Sequence, residues 1–291
     1  MATVSTPRII AVLGLGAMGA GIAADLRRSG FDVVSTARGR SRRSAERAEQ
    51  AGVRLLASLA DVIAAADTFL SIVPADQAEP LGEAVASELG GKPLHFVECN
   101  SITPSKTLRI GRRLAAAGAV VSDGGIIGPP PGAGKMKTRL YVSGPASAVL
   151  GALQSERMPV IRLGDSLSQA TEMKVLFSAA NKGATALLAN ILAAARQVGL
   201  LDRVMGELDA ARPGLLTCVR SAAPELDDKA ARWAIEMEDL AQGLEDMGAD
   251  GGYHKTAALG YARLARNLAR LEPGSDPMTR VLAAWTADRA K

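Results

Sequence analysis

The sequence is poor in the side chains that build metal centres, disulfide frameworks and base-stacking surfaces. Its 291 residues include two cysteines, Cys99 and Cys218, and two histidines, His95 and His254, with no CxxC motif and no zinc-ligand spacing. We therefore expect no metal site and no disulfide scaffold, and the default compartment is the reducing cytoplasm. Aromatic residues make up 3% of the chain, which argues against a surface that stacks nucleic-acid bases.

The chain also lacks a strong charge excess and a long apolar run. The net charge is +4, and much of the excess lies in one cluster, which consists of Arg38, Arg40, Arg42 and Arg43. This cluster could be a solvated helix start, a nucleic-acid patch or a phosphate pocket. A nucleic-acid surface needs more cations spread over a face, so the phosphate pocket is favoured. The apolar stretch 9–24 is too short to span a membrane, so we expect neither a nucleic-acid nor a membrane partner.

The first half of the chain alternates short apolar runs with helix-like segments, in a length that fits two domains. The apolar runs predict strands over residues 8–13, 32–36, 53–56, 68–73, 94–99, 119–121, 139–143 and 160–163, and the segments between them predict helices over 17–28, 41–51, 75–89 and 104–116. This alternation indicates an α/β fold with a doubly wound, mostly parallel sheet. Residues 123–132 are so rich in glycine and proline that they predict an ordered loop.

The pattern changes after residue 165. Residues 166–198 contain no proline and a single glycine, which predicts one long helix. The remainder is helical by periodicity, with breaks expected near Pro213-Gly214, Pro224, residues 248–252 and Pro273-Gly274. The sequence thus predicts an N-terminal domain over 1–164 and an all-α domain over 165–291, joined by a long interdomain helix.

A glycine-rich loop lies between the first predicted strand and the first predicted helix. It consists of Gly14, Leu15, Gly16, Ala17, Met18 and Gly19. In this strand–loop–helix context the GxGxxG spacing is typical of a Rossmann dinucleotide site. Gly14 permits the tight turn, Gly16 lets the backbone approach the pyrophosphate, and Gly19 lets the helix pack on the strand. The helix N-terminus offers N–H groups to the phosphates.

The end of the second predicted strand distinguishes NADP from NAD. An acidic residue there binds the ribose hydroxyls of NAD, but residues 35–41 contain no carboxylate. Arg38, with Arg40 or Ser41, can instead bind a 2′-phosphate through charge-assisted hydrogen bonds. The sequence therefore predicts that NADP is preferred to NAD.

A polar stripe marks the long helix. Lys174, Ser178 and Asn181 are spaced i, i+4 and i+7, so they share one helix face among mostly apolar neighbours. Lys174 could be a surface lysine whose stem covers apolar area. It could equally be half-buried in a cleft, where desolvation suits an amine to proton transfer at neutral pH.

Four blocks of the chain resemble the β-hydroxyacid dehydrogenase family, relatives of 6-phosphogluconate dehydrogenase. The glycine loop is the first, and residues 98–104 are similar to the family's Asp-x-Ser-Thr-x-x-Pro loop. Residues 123–132, with 138–140, are similar to its Asp-Ala-Pro-Val-Ser-Gly-Gly loop and the following Gly-Thr-Leu. The helix of Lys174 is the fourth. Residues 232–238 and 252–255 resemble a poorly characterised branch with a divergent C-terminal helical domain.

The resemblance implies roles for individual residues. Lys174 matches the family's catalytic lysine, with Ser178 or Asn181 in place of an asparagine. Further implied contacts are Val73, Pro74, Asn100 and Ser101 for the cofactor, and Gly125, Ile126 and Ile127 for the substrate. His254, in a glycine-rich break, could be a surface or capping histidine or a substrate contact from the helical domain. The family's substrate-loop serine falls on Ile127 and one of its glycines on Pro129, while Glu238 replaces a late lysine. We therefore expect a substrate that is not standard for the family.

The resemblance implies an NADP-dependent dehydrogenase or reductase acting on CH–OH groups. It would transfer a hydride between the nicotinamide and a small, anionic hydroxy acid or its oxo counterpart. The long helix and the many small residues of the helical domain indicate a homodimer. An imine reductase is one alternative, although such enzymes generally replace the lysine at position 174. A dinucleotide-binding protein without catalysis is the other. Arg139 could bind an anionic substrate or merely begin a strand.

Overall fold

The computed structural model describes residues 6–39, 41–134, 136–272 and 276–286. The chain forms two compact units, residues 1–174 and 175–291. The division falls inside the long helix, whereas the sequence places the domain boundary near Gly164. The first unit is α/β and the second is all-α, as the sequence predicts.

The first unit is built on one eight-stranded sheet with the order β3-β2-β1-β4-β5-β6-β7-β8. The strands are β1 Ile9–Leu13, β2 Asp32–Thr36, β3 Arg54–Leu56, β4 Thr68–Ser71, β5 His95–Glu98, β6 Val120–Ile127, β7 Arg139–Ser143 and β8 Val160–Gly164. Neighbouring strands are parallel except β6 and β7, which are antiparallel. The carboxyl ends of β1, β4, β5 and β6 therefore meet at one edge, where α/β sheets bind ligands.

Helices cover both faces of this sheet. They are α1 Ala17–Arg28, α2 Arg42–Gln50, α3 Leu59–Ala65, α4 Ala75–Glu88 and α5 Pro104–Ala116, and a 3₁₀ helix covers Ser147–Leu153. The sequence did not predict α3, which is only seven residues long. Its signal is the cap at Ser58, whose hydroxyl accepts a hydrogen bond from Asp61 N.

The prediction of a loop over residues 123–132 is wrong for its first half. β6 continues to Ile127, because β7 pairs with it from Asp123 opposite Ser143 to Ile127 opposite Arg139. The glycines of this strand serve close packing rather than a turn. A Cβ on Gly124 would lie 2.6 Å from Cys99 Sγ. The loop begins only at Gly128, whose φ is +117°.

The second unit consists of most of α6 Gln169–Gln197 together with α7 Leu201–Ala211, α8 Thr217–Asp246, α9 Gly252–Leu268 and α10 Pro277–Thr286. The predicted breaks at residues 213–214 and 248–252 are confirmed, whereas the break predicted at Pro273-Gly274 lies outside the described residues. The break predicted at Pro224 is wrong, because α8 continues through it. The flanking Ala223 and Leu226 are buried in the core of the unit, and this packing outweighs the lost backbone hydrogen bond.

The helix α6 is long and apolar enough to cross a membrane by length and composition alone. Such a test is also passed by core helices, and α6 contributes to the hydrophobic core of the second unit through residues such as Leu188 and Leu192. Three aromatic rings in edge-to-face contact, Trp233, Tyr261 and Trp285, form the centre of that core.

Candidate functional site

The glycine loop connects β1 to α1, and its three glycines differ in what surrounds them. Gly14 has a φ of +98°, and a Cβ there would lie 1.9 Å from the carbonyl oxygen of Ile72. A Cβ on Gly19 would lie 2.0 Å from the oxygen of Gly14. A Cβ on Gly16, in contrast, would have no atom within 4 Å. The fold itself requires Gly14 and Gly19, whereas Gly16 borders open space.

The first turn of α1 is suited to an anion. Gly16 is its N-cap, so no side chain caps the helix, and the first turn contains no acidic residue. Gly16 and Ala17 are exposed and Met18 is half-buried, whereas Leu15 is buried in the hydrophobic cluster beneath them. Uncapped N–H groups and the helix dipole favour phosphate here. These residues fit the pyrophosphate of a dinucleotide.

The buried Asn100 ties together the ends of β4 and β5. Its Oδ1 accepts a hydrogen bond from Val73 N at 2.6 Å, and its Nδ2 donates to Ser71 Oγ at 2.8 Å. Both polar atoms of the side chain are therefore satisfied within the protein, and Asn100 holds the turn at Val73. Pro74 and Ser101, which follow these strands, are exposed at the same edge.

Asp123 anchors the start of α6 to the sheet. Its two carboxylate oxygens accept hydrogen bonds from Thr171 N and Thr171 Oγ1, each at 2.7 Å. Burial raises the pKa of Asp123 to about 6, although the hydrogen bonds from Thr171 oppose that rise. This anchor fixes the first turns of the helix that carries Lys174.

Lys174 lies directly against β6. An ideal Cβ on Gly125 would lie 3.5 Å from Lys174 Cβ and 2.3 Å from the carbonyl oxygen of Ala170. Only glycine at position 125 allows α6 to approach the strand so closely. Lys174 is half-buried. Burial raises the pKa of both Glu98 and Cys99 at the end of β5, and the positive charge of Lys174 opposes that rise.

Glu98 is the most perturbed carboxyl at this edge. Burial raises its pKa to about 8, and the neighbouring Asp123, its register partner on β6, adds to the rise. Its Oε1 accepts a hydrogen bond from Asn100 N, while Oε2 is buried without a hydrogen-bond partner among the described residues. Glu98 thus lies beside two charged groups that act on its pKa in opposite directions, since Asp123 raises it and Lys174 lowers it.

The sequence named Glu98 and Asp123 only as members of motifs. Their common signal was available, since each is a carboxylate at or near the carboxyl end of a parallel strand. The described residues contain no group of three or more histidine, cysteine or acidic side chains that could hold a metal ion.

The substrate-loop residues divide between the two faces of β6. Gly125 faces α6, and the alternation of a strand places Ile127 on the same face. Ile126 projects from the other face and is buried in a cluster with Leu140 and Val142. Its side chain therefore lies away from Lys174.

The remaining helix residues belong to the second unit. Ser178 is half-buried and Asn181 is exposed on α6. His254 Nε2 donates a hydrogen bond to the Ala179 carbonyl at 3.1 Å, and Tyr253 Oη donates to the Gly183 carbonyl at 2.7 Å. These contacts attach the start of α9 to α6. A side chain at Gly183 would obstruct them, because its Cβ would lie 3.2 Å from His254 Nε2.

The predicted phosphate cations follow β2. Arg38 is exposed, and its backbone N–H donates to Thr36 Oγ1. Ser41 caps α2 by accepting a hydrogen bond from Ser44 N. Arg40 lies outside the described residues.

Comparisons with known proteins agree with this geometry. Residues 9–154 match the NAD binding domain of 6-phosphogluconate dehydrogenase, and residues 195–268 match a domain of unknown function (DUF1932). L-threonate dehydrogenase of Cupriavidus necator is 31% identical over 181 residues, which are 58% of this chain and 58% of that protein. The chain thus spans between half and three fifths of the length of such curated relatives.

Solved structures share the fold over nearly the whole chain. The 3-hydroxyisobutyrate dehydrogenase of Mycobacterium tuberculosis, determined with L-serine, has a TM-score of 0.74 at 20% identity, covering 97% of this chain and 99% of its own. An imine reductase of Streptomyces aurantiacus has a TM-score of 0.56 at 21% identity, covering 94% and 98%. The matched domain covers half of the chain, which therefore belongs to the family of the NAD binding domain of 6-phosphogluconate dehydrogenase.

Proposed function

We propose that the protein is an NADP-dependent oxidoreductase acting on the CH–OH group of a small hydroxy acid, or on its oxo counterpart, with Lys174 as general acid and base. The observation that carries the proposal is the position of Lys174 against Gly125, beside Glu98 and Asp123 at the ligand-binding edge of the sheet. The relatives named for threonate and 3-hydroxyisobutyrate support a hydroxy acid.

Different residues of the chain would bind the cofactor and transfer the proton. Gly16 and the first turn of α1 would hold the pyrophosphate, and Ser101 would lie near the nicotinamide. The cofactor supplies or accepts the hydride when bound. During reduction Lys174 Nζ would donate a proton to the carbonyl oxygen, and during oxidation it would accept the hydroxyl proton. Glu98, whose carboxyl interacts electrostatically with Lys174, would help to hold the ammonium group at this edge.

Replacing Lys174 tests this assignment. Lys174→Met keeps an unbranched chain but removes the proton donor, so we expect kcat to fall roughly 10²- to 10⁴-fold with NADPH affinity unchanged. Turnover is measured on a panel of 2- and 3-hydroxy acids, sugar acids and cyclic imines. Lys137→Met, at an exposed lysine of the same unit, serves as the control. Unchanged turnover in Lys174→Met would refute the role of Lys174, and turnover of the imines alone would favour the imine reductase alternative.

We also propose that Arg38 makes the site prefer NADP. Arg38 is exposed directly after β2, where no acidic residue competes for the ribose. Losing a charge-assisted hydrogen bond to the 2′-phosphate should weaken NADPH binding roughly 10- to 100-fold in Arg38→Ala and leave NADH binding unchanged. Comparable affinities of the unmodified protein for NADPH and NADH would contradict this preference.

We propose further that the protein works as a homodimer in the cytoplasm, with α6 in the interface. Small and apolar residues follow one face of α6, and continue just past its end, at alternating spacings of three and four: Phe177, Ala180, Ala184, Leu187, Ile191, Ala194 and Val198. The four large members are all exposed: Phe177 by 44%, Leu187 by 49%, Ile191 by 41% and Val198 by 69%. This spacing suits a second copy of the same helix, and an exposed apolar stripe of this length is unusual on a monomer. The unpaired state of Cys99 and Cys218 fits a reducing compartment.

A further inference from the structure

Arg139 begins β7 at the edge where Lys174 lies. It pairs directly with Ile127, the last residue of β6. Directly paired residues of antiparallel strands project from the same face, so Arg139 shares a face with Ile127, Gly125 and Asp123. That is the face against which the first turns of α6 pack.

The distance between Arg139 and Lys174 matches the length of a small molecule. Gly125 pairs with Tyr141, so Gly125 and Arg139 are diagonal neighbours across the two strands. Diagonal neighbours lie about 7–8 Å apart, and Lys174 packs on Gly125. A ligand of three or four carbons could therefore contact both cations.

The guanidinium of Arg139 is incompletely satisfied. Its Nε is buried and has no hydrogen-bond partner among the described residues, although a buried N–H normally has one. The chain that follows β6 offers few donors of its own. Pro129, Pro130 and Pro131 have no backbone N–H, and the N–H of Thr138 already donates to the carbonyl of Arg157. Arg139 is thus a side-chain donor at a place where the backbone supplies little.

We infer that Arg139 binds the carboxylate of the substrate while Lys174 serves its hydroxyl or carbonyl group, which makes Arg139 the residue that selects acids over uncharged analogues. The inference rests on the proposed oxidoreduction. A guanidinium binds a carboxylate through parallel, charge-assisted hydrogen bonds, which an ammonium or an amide reproduces only in part. The substrate class is accordingly a small monocarboxylate with an oxygen function two or three carbons from the acid end.

The test compares each hydroxy acid of a panel with its own carboxamide, in the unmodified protein and in Arg139→Gln. The preference for acid over amide, measured as the ratio of kcat/KM values, should fall roughly 10- to 100-fold in the variant, mainly through KM. The acid-over-amide preference of Arg139→Lys should lie between that of the unmodified protein and that of Arg139→Gln. NADPH affinity should not change in either variant. Lys137→Gln removes a neighbouring exposed charge and should retain the full preference.

The outcomes separate this inference from the function on which it rests. An undiminished acid preference in Arg139→Gln, with normal NADPH affinity, overturns the assignment of Arg139 and leaves the oxidoreduction intact. If the unmodified protein binds NADPH but converts no acid or amide, the proposed function fails. In that case the role of Arg139 is tested by calorimetric titration of glycerate into the NADPH-loaded protein. Tenfold weaker glycerate binding in Arg139→Gln than in the unmodified protein supports the inference. Equal binding to the two proteins, or no binding to either, overturns it.

Discussion

Two neighbouring glycines of one loop should respond in opposite ways to the same added methyl group. In Gly16→Ala the new Cβ meets no atom within 4 Å, and the backbone at φ −69° and ψ −170° suits any residue. Alanine is a poorer N-cap than glycine by only about 0.5–1 kcal/mol. Such a change lowers the melting temperature by roughly 1–4 °C in a chain of this size. Gly16→Ala should therefore fold.

The cofactor is affected much more strongly by Gly16→Ala. The methyl group occupies the space through which the pyrophosphate approaches the loop. Each charge-assisted hydrogen bond lost is worth about 1.5–3 kcal/mol, so the dissociation constant for NADPH should rise roughly 10- to 100-fold. Gly14→Ala differs because its Cβ would lie 1.9 Å from the Ile72 oxygen at a φ of +98°. The left-handed backbone alone costs about 1–2 kcal/mol, and the overlap forces β4 or the loop to move.

The assay is a fluorescence titration of NADPH beside a thermal melt for each variant. The matched control is Gly206→Ala, because Gly206 is an exposed glycine of α7 and an added Cβ there would meet open space. This variant should leave NADPH affinity unchanged and should not lower the melting temperature. NADPH affinity within twofold of the unmodified protein in Gly16→Ala would show that the pyrophosphate does not pass Gly16. A Gly14→Ala variant that melts normally would contradict the packing described for β1 and β4.

Three further predictions concern the buried ionisable groups and the α6 stripe. Since burial raises the pKa of Glu98 to about 8, the native state holds its proton more tightly than the unfolded chain, so stability is lost as the pH rises from about 4.5 to 8. Glu98→Gln should then gain up to about 3–5 kcal/mol over the unmodified protein at pH 8.5, measured by urea unfolding. Burial lowers the pKa of His95 to about 4, so the unfolded chain takes up the proton first, and stability should fall by up to about 3 kcal/mol between pH 6.5 and 4. His95→Gln should remove that fall. Leu187→Glu should convert the proposed dimer to monomers in light scattering, because a carboxylate would be buried in the proposed helix pair.

Each of these predictions has a result that contradicts it. Equal unfolding free energies of Glu98→Gln and the unmodified protein at pH 8.5 would mean that Glu98 is ionised without penalty in the fold. The same slope of stability against pH with and without His95 would exclude it as the acid-sensitive group. A dimer that survives Leu187→Glu would place the interface elsewhere, and Leu55→Glu, at an exposed leucine of β3, provides the control for an added surface charge.

Local patterns predicted most of the elements of this fold. The helices α1 and α5 and the strand β2 begin and end at the residues that the sequence indicates, because apolar periodicity and caps such as Thr103 act over one or two turns. The errors arose where distant contacts decide. Glycines normally end a strand, but Gly124 and Gly125 remain in β6 because β7 pairs with it and α6 packs on it. Pro224 remains in α8 because Ala223 before it and Leu226 after it are buried in the core of the second unit.

The sequence by itself determined the dinucleotide loop, the α/β order and the lysine-bearing helix, since each depends on residues close together in the chain. Only the tertiary structure distinguished Gly16, open to a ligand, from Gly14 and Gly19, which the packing requires. The tertiary structure alone also brought Glu98, Asp123 and Lys174 into one electrostatic cluster and set Arg139 on their face of the sheet. Burial and strand register create these relations between residues that lie far apart in sequence. Neither burial nor register can be read from the order of neighbouring residues along the chain.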